Sequence, residues 1–250
     1  MESETVIETV ALTKRYGRQT AVDKLSFRVK EGEIFGFLGP NGAGKTTTLL
    51  MLLGLSRPSA GSATVCGLDP LRKARDVKRR VGYLPENVGF YGDLDAFQSL
   101  EFVASLNGMR KDVVPDKIYE LLDMVGLKQD ARKKVGAFSR GMKQRLGIAE
   151  VLIKDPKILF LDEPTLGLDP DGALRSMDLI ESLNRDSKIT VLLSSHNLHQ
   201  VQKISHRVGI MIQGKMVAEG AIESLAKEKF GVGEKKYSLE EIYMKYFHEG

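Results

Sequence analysis

The 250 residues are 42% apolar, enough for a core, and carry 37 basic against 33 acidic side chains, a formal net charge of +4. The excess is modest, and basic pairs such as Arg79-Arg80 and Lys133-Lys134 lack interleaved aromatics, so they read as solvated faces and no nucleic-acid partner is expected. The single cysteine, Cys66, excludes an intramolecular disulfide, argues against a thiolate metal cluster and is expected to serve as buried packing in a reducing cytoplasm. No apolar run approaches the length needed to span a bilayer, and the start MESETVIETV has neither the basic flank nor the apolar stretch of a secretory signal.

In chain order, the stretches TVIETVALTKRY, AVDKLSFRVKEGEIFGFLG and GSATVCGLD alternate with period two between Gly-rich turns and predict short strands. A helix is predicted to begin inside GKTTTLLMLLGL, where Leu49, Leu50, Leu52, Leu53 and Leu55 cover nearly all faces and point to burial between layers. From about Asn87 to Pro156 the β signal is weak, while YELLDMVGL and KQRLGIAEVLI carry helical spacing, as expected of a separate helical lobe.

Strand signals return in KILFLDEP, KITVLLSSH, RVGIMIQGK and MVAEG. The first two are nearly all apolar, as in parallel strands covered on both faces. A helix over Gly172 to Asn184, with a stripe of Leu174, Met177, Ile180, Glu181 and Leu183, would supply a right-handed crossover between them. In the tail, Leu239, Ile242, Tyr243, Tyr246 and Phe247 share one helical face and Ser238 is a plausible N-cap, which predicts a helix docked on its own domain.

The chemistry concentrates in two places. Gly39, Pro40, Asn41, Gly42, Ala43, Gly44, Lys45 and Thr46 form G-x-x-x-x-G-K-T between the apolar strand EIFGFL and a helix. In such a loop, backbone amides and the positive helix end surround phosphate oxygens, Lys45 bridges the β- and γ-phosphates, Thr46 ligates Mg²⁺ and Thr47 supports the phosphates. A plain Gly-rich turn would leave Lys45 and Thr46 in register without a reason.

The second place is LFLDEP, where Asp162 and Glu163 end a buried strand. Like charges in a dry place are costly. Beside a phosphate loop both have a use: Asp162 holds Mg²⁺ and Glu163 polarises the water that attacks the γ-phosphate, as general base. Alternatively, an acidic pair at a strand exit caps the following turn.

With both halves present, residues 6 to 225 resemble the ATP-binding subunit of an ABC transporter, a P-loop NTPase of α/β class. That resemblance implies a RecA-like core with a parallel sheet and an antiparallel β subdomain (1–87 and 157–225), an inserted α-helical subdomain (88–156) and a C-terminal helical tail (226–250). The family signature, typically LSGGQ, corresponds to FSRGMKQR, which keeps Ser139 and Gly141 and departs at Arg140 and Met142. Ser139 is read as the cap of the helix through RLGIAEVLI. By resemblance it faces the γ-phosphate held by a second subunit, so that two copies sandwich two ATP molecules. Tyr16 matches the adenine-stacking aromatic, Asp169 the loop that crosses the dimer interface, and His196 the switch histidine at the γ-phosphate. Glu86 stands where the family usually has glutamine, reaching Mg²⁺ and the attacking water; a carboxylate there still ligates but cannot donate.

The resemblance implies an ATP-hydrolysing motor, peripheral on the inner face of the cell membrane, that drives export through separate membrane-spanning permease subunits. An ATPase acting on DNA or ribosomes is the alternative. Those proteins resemble fused ATPase halves or a site split by a coiled coil, whereas Lys45 and Asp162 lie in one α/β unit without sustained heptads. A GTPase or small-molecule kinase finds no guanine-reading N-K-x-D, and a protein using ATP only as a structural ligand would leave Glu163 idle.

Overall fold

A computed structural model describes residues 4–231 and 237–249; residues 232–236, within the expected tail, lie outside the described residues. The chain opens with two long strands, β1 (Thr5–Tyr16) and β2 (Gln19–Lys30), which with β4 (Ala60–Val65) form an antiparallel sheet ordered β2-β1-β4. The larger sheet contains β3 (Ile34–Leu38), β5 (Val81–Leu84), β6 (Ile158–Asp162), β7 (Thr190–Ser195), β8 (Arg207–Ile212) and β9 (Lys215–Gly220), ordered β5-β6-β7-β3-β8-β9. All its pairings are parallel except that of β8 with β9.

The apolar runs explain the layering. In β3 and β6 every residue is buried, and alternate residues enter different cores. Phe35, Phe37, Ile158 and Phe160 join the core under the antiparallel sheet, where Phe27 stacks on both Phe35 and Phe37 with ring centres 5.6 and 5.5 Å apart. Ile34, Leu38, Leu159 and Leu161 face the opposite core, which continues into the helices inserted between β5 and β6. Those helices are α3 (Ala96–Leu106), α4 (Val114–Met124) and α5 (Arg140–Leu152); no strand is assigned among them. Asp95 starts α3 with a reciprocal capping box to Gln98.

The remaining helices are α1 (Lys45–Leu52), α2 (Ala74–Arg80), α6 (Pro170–Ser187), α7 (Leu198–Ile204), α8 (Ile222–Phe230) and α9 (Leu239–Glu249). The tail helix α9 docks on its own chain as expected: Leu239, Ile242 and Tyr246 are buried against α7 and α8, and the Leu239 amide donates to Gln202 Oε1 at 2.8 Å. Ser238 caps it, its hydroxyl accepting from the Glu241 amide while Glu241 accepts from the Ser238 amide.

Several burial expectations need correction. Leu55 lies beyond the end of α1 and is exposed, and Leu174 and Phe247 are also exposed, because each apolar stripe is wider than the surface it packs on. Cys66 is only half-buried, in a turn at φ +49 that closes β4. Helix α6 is longer than the predicted Gly172 to Asn184, since Pro170 suits the first helical turn and the chain turns left-handed only at Lys188.

Candidate functional site

The loop from Gly39 to Gly44 lies between β3 and α1, where β3 is flanked in the sheet by β7 and β8. Gly44 adopts φ +103, and a side chain on it would run into the carbonyl of Ala21, so the last loop glycine is required both by torsion and by the close approach of β2. Helix α1 begins without a side-chain cap, leaving its first amides for a ligand. Lys45 is buried; its ammonium donates to the Gly39 and Pro40 carbonyls at 2.7 and 3.3 Å, curling back over the loop.

The sheet order then brings in the carboxylates. Asp162 ends β6 in parallel register with Ser194 of β7, whose hydroxyl donates to Asp162 Oδ1. The Thr46 hydroxyl donates to Asp162 Oδ2 at 2.7 Å. Glu163 follows in a left-handed conformation, φ +50, which turns its side chain back toward the loop. One carboxylate oxygen lies 3.6 Å from Lys45 Nζ, and the other meets His196 Nδ1 at 2.8 Å and the His196 amide at 3.3 Å.

Lys45, Thr46, Asp162, Glu163 and His196 are thus one connected cluster. Glu163 Oε1 is buried without a hydrogen-bond donor, so the cluster has acceptor capacity its own side chains do not fill. Its oxygen donors, a threonine hydroxyl and carboxylates, are of the hard kind that Mg²⁺ takes. Among the described residues no group of three or more His, Cys, Asp or Glu forms a site that could hold a metal from protein ligands alone. His206 is structural: its Nδ1 accepts from the Ile34 amide at 2.8 Å.

The other predicted residues are dispersed. Ser139 is the N-cap of α5, accepting from the Met142 amide at 3.2 Å, and neither it nor Gly141 bonds to the cluster. Tyr16 has half its surface exposed and carries the Lys14 ammonium 4.7 Å above its ring, leaving ring surface for a stacking partner. Asp169 precedes α6, exposed, without a capping bond. Thr47 is half-buried in the first turn of α1 and Asn41 is exposed on the loop. Glu86 is exposed just past β5. Burial first, then the charges of Asp162 and Glu86, push the Tyr83 phenol up to about 12.

Three contributors escape the sequence motifs. Ser194 steadies Asp162. Thr165 and Gln200 join the loop after Glu163 to the helix after His196 through a 2.6 Å hydrogen bond. A run of two serines closing an otherwise apolar strand was the available signal for Ser194; the Thr165–Gln200 bond has no local signature.

A sequence profile described as ABC transporter matches residues 22–166, from within β2 to the turn after Glu163. The chain is 45% identical over 223 residues to the bacitracin transport ATP-binding protein BcrA of Bacillus licheniformis, covering 89% of this chain and 72% of that one. The chain belongs to the ABC transporter family. It is one of that family's ATP-binding subunits, an enzyme that binds and hydrolyses ATP. This ABC subunit is also 40% identical over 225 residues to the Nod factor export ATP-binding protein I of Burkholderia pseudomallei, covering 90% of this chain and 74% of that one. A solved ATP-binding subunit of an ABC transporter superposes on it with a TM-score of 0.85 at 27% identity, covering 97% of this chain and all of the other. Among the described residues no helix of the ABC subunit is long and apolar enough to cross a membrane.

Proposed function

We propose that two copies of this subunit close around two ATP molecules, each cradled by the Gly39–Thr47 segment of one copy and met by the Ser139 end of α5 of the other, and that this closure drives export through separate permease subunits. The observation that carries the reading is the cluster itself: Glu163, turned back at the end of β6, touches both Lys45 and His196. Export is the direction named for the Nod factor relative.

In this reading Tyr16 stacks on the adenine. The loop amides and Lys45 hold the phosphates and stabilise charge that develops on the γ-phosphoryl group. Thr46 and Asp162, with Glu86 alongside, would hold Mg²⁺, which would supply neutralisation of phosphate charge. Glu163 accepts the proton of the attacking water, and His196, already bonded to Glu163, orients it. Asp169 lies at the boundary between the copies. A groove of about 200 Å³ lined by Leu55, Val103 and Asn107, with Lys78, Glu150 and Lys154 among its charged residues, gives the permease a mixed apolar and charged foothold on the inner membrane face.

Complementation tests the shared site. A Lys45→Ala chain and a Ser139→Ala chain should each hydrolyse ATP poorly, while their mixture assembles one intact site and regains activity. A mixture no faster than the sum of its parts contradicts the arrangement.

A further inference from the structure

We propose that Arg140 is a positioning residue for hydrolysis: its guanidinium braces Gly167 and ties the Ser139 end of α5 to the loop that leaves Glu163. Gly167 has φ +69, and a methyl group added there would collide with Nη1 and Cζ of Arg140 and lie 3.0 Å from its Nε. The guanidinium therefore occupies the space a side chain at 167 would fill. The next residues match: a methyl group on Gly141 would touch Leu168 at 3.8 Å. Two successive residues at the start of α5 thus lie against two successive residues of the loop.

The placement of Arg140 is otherwise unfavourable. It occupies the first position of α5, where the helix dipole opposes a cation, the first turn holds no acidic residue, and among the described residues no carboxylate pairs with it. A local rule is broken without a local gain, which points to the contact as the gain. The loop transmits what the contact fixes: the Leu166 amide donates to the Glu163 carbonyl at 3.0 Å, the Leu168 amide to the Thr165 carbonyl at 3.1 Å, and Thr165 is bonded to Gln200 on the helix after His196. Two linked turns separate Gly167 from Glu163. The brace makes the helix start that serves one nucleotide and the loop that carries the base for the other move as one body. The proposal rests on the reading of Glu163 as that base.

The test is steady-state ATP hydrolysis by the full chain at matched protein concentration, with thermal melting as a folding check. Arg140→Gly should lower kcat about tenfold with KM for ATP within about twofold. Arg140→Lys should fall equally, because an ammonium keeps the charge but lacks the planar group that fills the space. Gly167→Ala, whose methyl displaces the guanidinium, should cost the wild-type chain more activity than it costs the Arg140→Gly chain, which has no guanidinium to displace. The proposal is overturned if Arg140→Lys restores the rate, if Arg140→Gly raises KM and spares kcat, or if Gly167→Ala costs the same factor in both backgrounds. If Gly167→Ala does not fold in either background, the two Arg140 variants decide alone. A Glu163→Gln chain that hydrolyses at the wild-type rate would instead sink the base assignment, whatever Arg140 does.

Discussion

The Thr46 hydroxyl donates to Asp162 Oδ2 at 2.7 Å, joining the start of α1 to the end of β6 across 116 positions of sequence. Ser194 takes the other oxygen, so Asp162 is held from two sides beside the Thr46 hydroxyl, and under the proposed function these oxygens would hold Mg²⁺. Asp162→Asn should leave ATP affinity in the absence of Mg²⁺ unchanged, abolish the tightening that Mg²⁺ gives, and lower kcat by about 10²–10³-fold. Calorimetric titrations with and without the metal, beside turnover, measure both.

His196 bonds Glu163 through both its ring and its amide, and only the ring bond can be removed by substitution. His196→Ala should lower kcat by about 10²-fold with little change in the KM for ATP, because it leaves the loop that binds phosphate intact. A rise in KM at constant kcat would assign the histidine to binding.

Glu86 is exposed yet close enough to Tyr83 for its charge to act on the phenol together with that of Asp162. Glu86→Ala should reduce turnover, while Glu86→Gln, which keeps one carbonyl ligand and adds a donor, should retain most of it. Equal, unchanged rates in both variants would remove Glu86 from the site.

Burial raises the Glu150 carboxyl above its ordinary value; it lines a groove shared with Lys78 and Lys154 but forms no ion pair with either. A carboxylate whose folded pKa is raised destabilises the fold above that pKa and ceases to do so once both states are protonated. Glu150→Gln should therefore raise the melting temperature at pH 7, and the gain should shrink as pH falls through the raised pKa and vanish below the ordinary carboxylate range. A pH-independent difference would assign the effect to packing.

Local chemistry was legible in the sequence; contacts between distant elements were not. The Gly39–Thr46 loop, the Asp162–Glu163 pair and the Ser139 cap are each written within a few residues, because strand, turn and helix start are fixed locally. The two apolar runs read as parallel strands of one sheet, but the order that sets β7 between β6 and β3, and with it the Ser194 bond, depends on a register set by the whole sheet. Helical periodicity marked α6 and α9, yet Leu174 and Phe247 face outward, since periodicity shows a stripe and not how much of it finds a neighbour. Arg140 read only as a departure from the signature; its contact with Gly167 appears once α5 and the loop after β6 are folded together.

If Glu163 is the base of a site completed by a second copy, the mass of the Glu163→Gln chain by light scattering with saturating ATP and Mg²⁺, alongside its turnover, will show it. The expected species is a stable dimer retaining two ATP per pair, with hydrolysis slowed by at least about 10²-fold. A species that stays monomeric under ATP, or that hydrolyses at the unsubstituted rate, would contradict it.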